Sequence, residues 1–281
     1  MVQDTVFCEK IEQIFNNNAS PFVMGILNVT PDSFFDGGQY TEEAHWLAHA
    51  QQMIQEGVDI IDVGAYSTRP GATEITEAEE LKRLIEVIES LRKNFPSVLI
   101  SADTFRANVA QKAVEAGANI INDISGGTMD ETMFSIIARL QVPYVLMHIQ
   151  GTPQTMQQAP QYDNVVENVY DFFQHKLQEL KKLGVTKVIL DPGFGFGKTV
   201  EHNYQLLKHL GKFKALNYPL LVGFSRKSMV NKLLNTKPKA ALNGTTILNT
   251  IALENGARVV RVHDVKEAKE IVTITQYIKS I

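Results

Sequence analysis

The chain has 281 residues, 44% of them hydrophobic and 21% charged, with a formal net charge of −4. Such a composition supports a large buried core and lacks the basic surplus of a nucleic-acid binder or a polybasic membrane patch. One cysteine, Cys8, excludes an internal disulfide and multi-cysteine zinc sites. Asp4, Glu9, Lys10 and Glu12 interrupt the first twenty residues and no 18-residue apolar run occurs, so neither a signal peptide nor a membrane span is expected and the chain reads as cytoplasmic.

Taken in order, residues 1–20 read as an extension packed on the main domain. The apolar run from Phe22 to Leu27 has the length of a buried strand and stops at Asn28, before the turn-formers Pro31, Asp32, Gly37 and Gly38. Phe34 and Phe35 in that loop suggest a lid that covers a ligand. Helical spacing follows from Thr41 to Glu56, then a strand from Val58 to Tyr66 that contains Asp62 and leads into Ser67-Thr68-Arg69-Pro70-Gly71. A helix from Thr76 to Asn94 opens on a possible capping box of Thr76 with Glu79. The alternation continues with strands ending at Asp103, Asn122, His148, Asp191, Gly223 and His263, each followed by an amphipathic segment. The third, fourth and fifth helices of the chain are predicted from Phe105 to Ala116, from about Asp130 to Leu140 and from about Asp163 to Leu183.

Eight short apolar runs separated by amphipathic helices imply parallel strands buried on both faces, and in this length they predict a single (β/α)₈ barrel spanning 1–281. An open doubly wound sheet is the alternative, but it would place its ligand at one switch point, whereas here polar groups finish nearly every strand. Asp191-Pro192-Gly193-Phe194-Gly195-Phe196-Gly197-Lys198 fails both nucleotide fingerprints: Pro192 stands where a phosphate loop needs glycine, and Lys198 stands where the last dinucleotide glycine belongs. His45 and His49 share a helix face without a third metal ligand nearby in sequence, and no G-x-S-x-G elbow occurs.

What remains is a constellation at the strand ends. Asp103, Asn122 and Asp191 would offer acceptors to the N–H groups of a flat heterocycle. Arg69, Lys227, Arg261 and His263 come from other strand ends, and the last two barrel loops are a common phosphate-binding corner.

Together these segments resemble the dihydropteroate synthases. The resemblance is carried by Gly25-Ile26-Leu27-Asn28-Val29-Thr30-Pro31-Asp32-Ser33-Phe34, Ser67-Thr68-Arg69-Pro70-Gly71, Asp103-Thr104, Ile121-Asn122-Asp123, Met147-His148 with Gly151-Thr152-Pro153, Asp191 to Lys198, Ser225-Arg226-Lys227 and Arg261-Val262-His263-Asp264, in family order. It implies condensation of (7,8-dihydropterin-6-yl)methyl diphosphate with 4-aminobenzoate, releasing pyrophosphate. It further implies that Asp103, Asn122, Asp191 and Lys227 hold the pterin and that Thr68, Arg261 and His263 hold the diphosphate. Phe34, Pro70, Phe196 and Ser225 would line the aminobenzoate pocket, Asn28 would ligate Mg²⁺, and Arg69, Lys227 and Asp191 would serve catalysis. A homodimer is part of the same expectation. Tyr66 departs from the family pattern, where many members carry an acidic residue. Two rivals are a corrinoid-dependent methyltransferase of the same barrel group, which would not need Thr68, Arg69, Arg261 and His263, and a non-catalytic paralogue, against which the intact first two loops weigh.

Overall fold

In a computed structural model the described residues are 2–29, 42–66 and 75–281. Phe34, Thr68, Arg69 and Pro70 lie outside them, and with them the lid reading. Eight parallel strands close into a barrel in sequence order: β1 (Phe22–Asn28), β2 (Ile60–Gly64), β3 (Leu99–Asp103), β4 (Ile120–Asp123), β5 (Tyr144–Met147), β6 (Val188–Asp191), β7 (Leu220–Val222) and β8 (Ala257–Val262). Helix α1 (Val2–Phe15) precedes the barrel. Around it run α2 (Glu42–Gln55), α3 (Glu77–Asn94), α4 (Ala107–Glu115), α5 (Met133–Leu140), α6 (Val165–Lys182), α7 (Val200–Lys208), α8 (Ser228–Leu234), α9 (Leu242–Glu254) and α10 (Val265–Ser280). The barrel expectation holds, and with it the rejection of an open sheet, because β1 pairs with β8.

Alternation along each strand sorts its residues into two cores. Val23, Leu27, Ile61, Val63, Ile100, Ile121, Leu146, Leu190, Val222 and Val260 pack with the helices. Met24, Ile60, Leu99, Ile120, Val145, Ile189, Leu221 and Val259 instead fill the barrel. Both faces of every strand are therefore apolar in the lower barrel, which is why the strands read as continuous runs. Ile11 and Ile14 of α1 join the inner cluster and close its lower end. Arg258 on β8 donates through Nη2 to the Gln13 and Ser20 carbonyls at 3.0 and 3.4 Å, tying the segment before β1 to the closing strand.

Helix ends follow local chemistry. Thr76 caps α3, its hydroxyl accepting from the Glu79 amide at 3.3 Å. Asn164 caps α6 through the Val166 and Glu167 amides, one residue beyond the predicted start. The fourth predicted helix begins at Met133 and not near Asp130, because the Asp130 carboxylate is drawn into bonds with the Thr132 amide and hydroxyl and the Ala107 amide. After α7 the chain tightens into a 3₁₀ segment, Leu210–Leu216, that the periodicity does not reveal.

Ile14 is fully buried at the end of the barrel remote from the strand carboxyl ends. Ile14→Ala should cost about 2–5 kcal/mol of stability. Urea denaturation together with activity per folded molecule checks this: a lowered midpoint with unchanged turnover is the expected pair.

Candidate active site

The pairing register lines up the strand ends. Asn28 pairs with Gly64, Gly64 with Asp103 and Asp103 with Asn122, so three polar side chains and one glycine form a row along four of the eight strand ends. Gly64 leaves the gap that the row needs: a Cβ there would lie 3.4 Å from Asn28 Oδ1 and 3.6 Å from Asp103 Oδ2. One residue pair lower, Asp62 points inward and is completely buried. Arg261 on β8 reaches across and donates through Nε to Asp62 Oδ2 at 2.6 Å and through Nη2 to Asp103 Oδ2 at 2.8 Å. Asn122 donates through Nδ2 to the same Asp62 carboxylate at 3.1 and 3.3 Å.

Local loops hold the donors and acceptors in place. Asp123 turns away from the barrel and accepts from the Ser125 amide and hydroxyl, the Gly127 amide and the Tyr144 hydroxyl, all within 2.8 Å. These bonds tie the chain just after Asn122 into a turn. After β6, Asp191 Oδ1 accepts from the Gly193 amide at 2.8 Å, which leaves Oδ2 without a hydrogen-bond donor among the described residues.

The glycines of that segment serve packing. A Cβ on Gly193 would meet the His148 carbonyl at 1.9 Å, and one on Gly197 the Gln150 carbonyl at 2.5 Å; both residues have positive φ. Lys198 fastens the two loops, its buried ammonium lying 3.0 Å from His148 Nδ1, 3.3 Å from the His148 carbonyl, and 3.0 Å from each of the Gly193 and Phe196 carbonyls. His148 is thus a buried structural residue whose pKa is held well below the ordinary value by burial and by Lys198. Burial, reinforced by Lys227 and opposed by Asp191, brings Lys198 itself down to about 7.

Lys227 donates to the Phe194 carbonyl at 2.6 Å and stands over the Phe196 ring at 4.7 Å. Burial lowers it to about 8, with Asp191 and Asp103 pulling upward and Arg261 downward. Burial raises Asp191 above the ordinary carboxylate range, against the pull of Lys227 and the Gly193 amide. The Ser225 hydroxyl lies 2.9 Å from His263 Nδ1 and accepts from the His263 amide at 3.2 Å, joining the ends of β7 and β8. An apolar shelf of Tyr66, Phe105, Ile124 and Met147, with Phe196 packed on it, adjoins these polar groups. A flat ring with N–H groups on its edge suits such a mouth: acceptors below, a cation beside it and an apolar shelf.

Comparison with known proteins agrees. The family model for "Pterin binding enzyme" matches residues 24–263. The dihydropteroate synthase of Escherichia coli K12 is 46% identical over 258 residues, covering 91% of each chain. The chain belongs to the pterin-binding enzymes. Within that family it groups with the dihydropteroate synthases, transferases of folate biosynthesis. A Yersinia pestis dihydropteroate synthase in complex with a sulfonamide drug superposes with a TM-score of 0.86 at 46% identity, over 93% of this chain and 95% of that one. The Xanthomonas albilineans dihydropteroate synthase in complex with 7,8-dihydropteroate gives 0.85 at 36% identity, over 94% and 95%.

The described candidates Asn28, Asp103, Asn122, Asp191, Phe196, Ser225, Lys227, Arg261 and His263 all come from the carboxyl ends of strands or the loops that follow them, as the barrel reading requires. Asp62 and Lys198 carry more of the site's geometry than their sequence context suggests. Burial pushes Asp103 up to about 7 from 3.8, with Arg261 opposing and Asp62, Glu80 and Asp123 adding to the rise. A carboxyl whose folded pKa is raised holds more proton in the native state than in the unfolded state between those values, so its contribution makes stability fall as pH rises through that window. Urea denaturation at about pH 5 and about pH 7.5 should show the ligand-free wild type losing more stability than Asp103→Asn over the interval. Parallel pH dependence would mean that Asp103 is ionised throughout.

Proposed function

We propose that this barrel mouth joins 4-aminobenzoate to (7,8-dihydropterin-6-yl)methyl diphosphate, giving 7,8-dihydropteroate and pyrophosphate, with the residues in the following roles. The observation that carries the reading is the meeting of three acceptor-bearing side chains, Asp103, Asn122 and Asp191, with two half-buried cations, Lys227 and Arg261, beside an apolar shelf. Asp191 offers its open oxygen to ring N–H groups, and Lys227 donates to a ring acceptor. Arg261 and His263, with Thr68, take the diphosphate; Phe196 and Ser225, with Phe34 and Pro70, border the aminobenzoate. Arg69 supplies a further cation to the reacting end.

Departure of pyrophosphate breaks the C–O bond and leaves a resonance-stabilised carbocation at the pterin methylene; the aminobenzoate nitrogen supplies the electron pair of the new C–N bond and then gives up one N–H proton to the released pyrophosphate or to solvent. The protein needs to accept negative charge on the leaving group and to position the amine, so no nucleophilic side chain is required. Asn28 fits a role toward Mg²⁺: its side chain has no hydrogen-bond partner among the described residues, its oxygen stands beside Asp103 over Gly64, and no cluster of three ligating side chains occurs among the described residues. One amide oxygen suits a cation that keeps its waters and arrives with phosphate oxygens. When bound, the ion would neutralise diphosphate charge.

Pyrophosphate release that depends on both substrates tests the reaction. Asp191→Asn should weaken a diphosphate-free pterin by about 1–3 kcal/mol in calorimetry, whereas Arg261→Ala should weaken pyrophosphate more than that pterin. Equal losses for both ligands in Arg261→Ala would show that Arg261 supports ring binding, directly or by holding Asp62, and does not act on the diphosphate alone.

A homodimer is part of the same proposal. Ile247 and Ile251 on α9 and Ile274, Tyr277 and Ile278 on α10 are 40–69% exposed, and the two helices are neighbours. An apolar face of this kind suits a second copy of the chain. Ile251→Glu with Tyr277→Glu should convert the particle to a monomer in analytical ultracentrifugation, and an unchanged mass would refute this interface. The exposed single thiol Cys8 fits work in a reducing cytoplasm. Among the described residues no helix is long and apolar enough to cross a membrane.

A further inference from the structure

Asp62 has no exposed surface, so no ligand touches it, yet two site residues hang on it. Its Oδ2 accepts from Arg261 Nε at 2.6 Å, and both oxygens face Asn122 Nδ2, at 3.1 and 3.3 Å. An ionised carboxylate only accepts hydrogen bonds, so the Asn122 amide has one tolerable orientation, NH₂ inward against Asp62. The reversed amide would press a carbonyl oxygen against the carboxylate. Asn122 Oδ1 makes no hydrogen bond among the described residues and is not a sealed, unpartnered atom, which leaves it as the outward-facing acceptor. Arg261 in turn pins Asp62: the guanidinium claims Oδ2, and a second bond to Asp103 at 2.8 Å fixes the plane of the fork.

We propose that Asp62 is a specificity-determining positioning residue: by receiving the Asn122 amide while held by Arg261, it makes Asn122 present an acceptor to the ring, and so selects a donor-bearing 2-amino-4-oxopteridine over a 2,4-dioxopteridine. This rests on the assignment of Asn122 to the ring given above. A site built around an acceptor rejects an analogue that places a carbonyl oxygen where an amine stood, because two lone-pair groups then meet in a dry setting.

The device has a reciprocal test. In Asp62→Asn the single oxygen left at position 62 goes to Arg261 Nε, and the new NH₂ group faces Asn122, which must reverse and offer its own NH₂ to the ligand. In the double variant Asp62→Asn with Asn122→Asp, the amide and carboxylate exchange places, net charge is restored, and an acceptor again faces outward. Affinities for 2-amino-4-oxopteridine and 2,4-dioxopteridine, measured by calorimetry, give the preference in each protein, with thermal midpoints recorded alongside. Asp62→Asn should reduce the preference about tenfold or more, and the double variant should bring it back to within about threefold of wild type. The double variant also serves if Asp62→Asn alone folds poorly. An unchanged preference in Asp62→Asn, a double variant that remains impaired, or equal losses for both pteridines that follow a lowered midpoint would each overturn the proposal. Asp191→Asn is the control: if it weakens the aminopteridine while the Asp62 preference stays put, this inference fails and the site assignment stands. If the wild type binds neither pteridine, the site assignment fails first.

Discussion

A guanidinium bonded to two carboxylates is what lets an apolar barrel end in a polar floor. Asp62 lies just above a layer of isoleucine, leucine, valine and methionine, where an unpaired carboxylate would be strongly destabilising and a lone guanidinium no better. Arg261 on the last strand satisfies Asp62 and Asp103 together, and this triangle spans β2, β3 and β8. Removing one partner would leave a buried charge uncompensated, at a cost on the order of 3–5 kcal/mol. Closure of the barrel between β1 and β8 is therefore tied to assembly of the site. The charges at the barrel mouth are thus ordered by one another, Arg261 bonding Asp62 and Asp103 at once.

The fold was legible because each strand is buried on both faces and each helix on one. Continuous runs such as Val188 to Leu190 and amphipathic stretches such as Val165 to Lys182 carry signals that need no knowledge of the partner. Element ends were less legible, since they turn on particular bonds. Val58 and Asp59 precede β2 because the Val58 amide bonds to the Met53 carbonyl and Asp59 receives the Val23 amide and the Lys269 ammonium. Phe105 and Arg106 precede α4 because Arg106 caps it in an extended conformation while its guanidinium reaches the buried Glu80. The helical state of α1 does not show in residues 1–20, whose inward residues Ile11 and Ile14 find their partners in strands that follow much later.

The candidate site was legible to the depth at which a residue's chemistry shows on its own element. Asp103, Asn122 and Asp191 interrupt apolar runs at their carboxyl ends, and Lys227, Arg261 and His263 stand where barrel strands finish. Asp62 was visible as a polar residue within β2, but its role was not, because its partners lie 60 and 199 residues away and meet it only through the register. Lys198 closed a motif that matched no nucleotide fingerprint. Its function appears only when the loop after β5 is brought against the loop after β6, where the ammonium replaces water for three carbonyls.

The arrangement of the site also accounts for which parts of it lie on strands and which on loops. Arg261 and Asp103 are held closely in place because strand ends in a closed barrel have little freedom. Phe196, by contrast, belongs to the loop after β6. That loop is nonetheless held on three sides: by Lys198 at the Phe196 carbonyl, by Asn203 through the Gly195 amide at 2.7 Å, and by Lys227 at the Phe194 carbonyl. Lys227 thus links the two regions, packing its stem along the loop while its charge interacts with Asp191 at the end of β6. A shift of the loop would move the cation with it, so the strand ends and this loop are mechanically one unit.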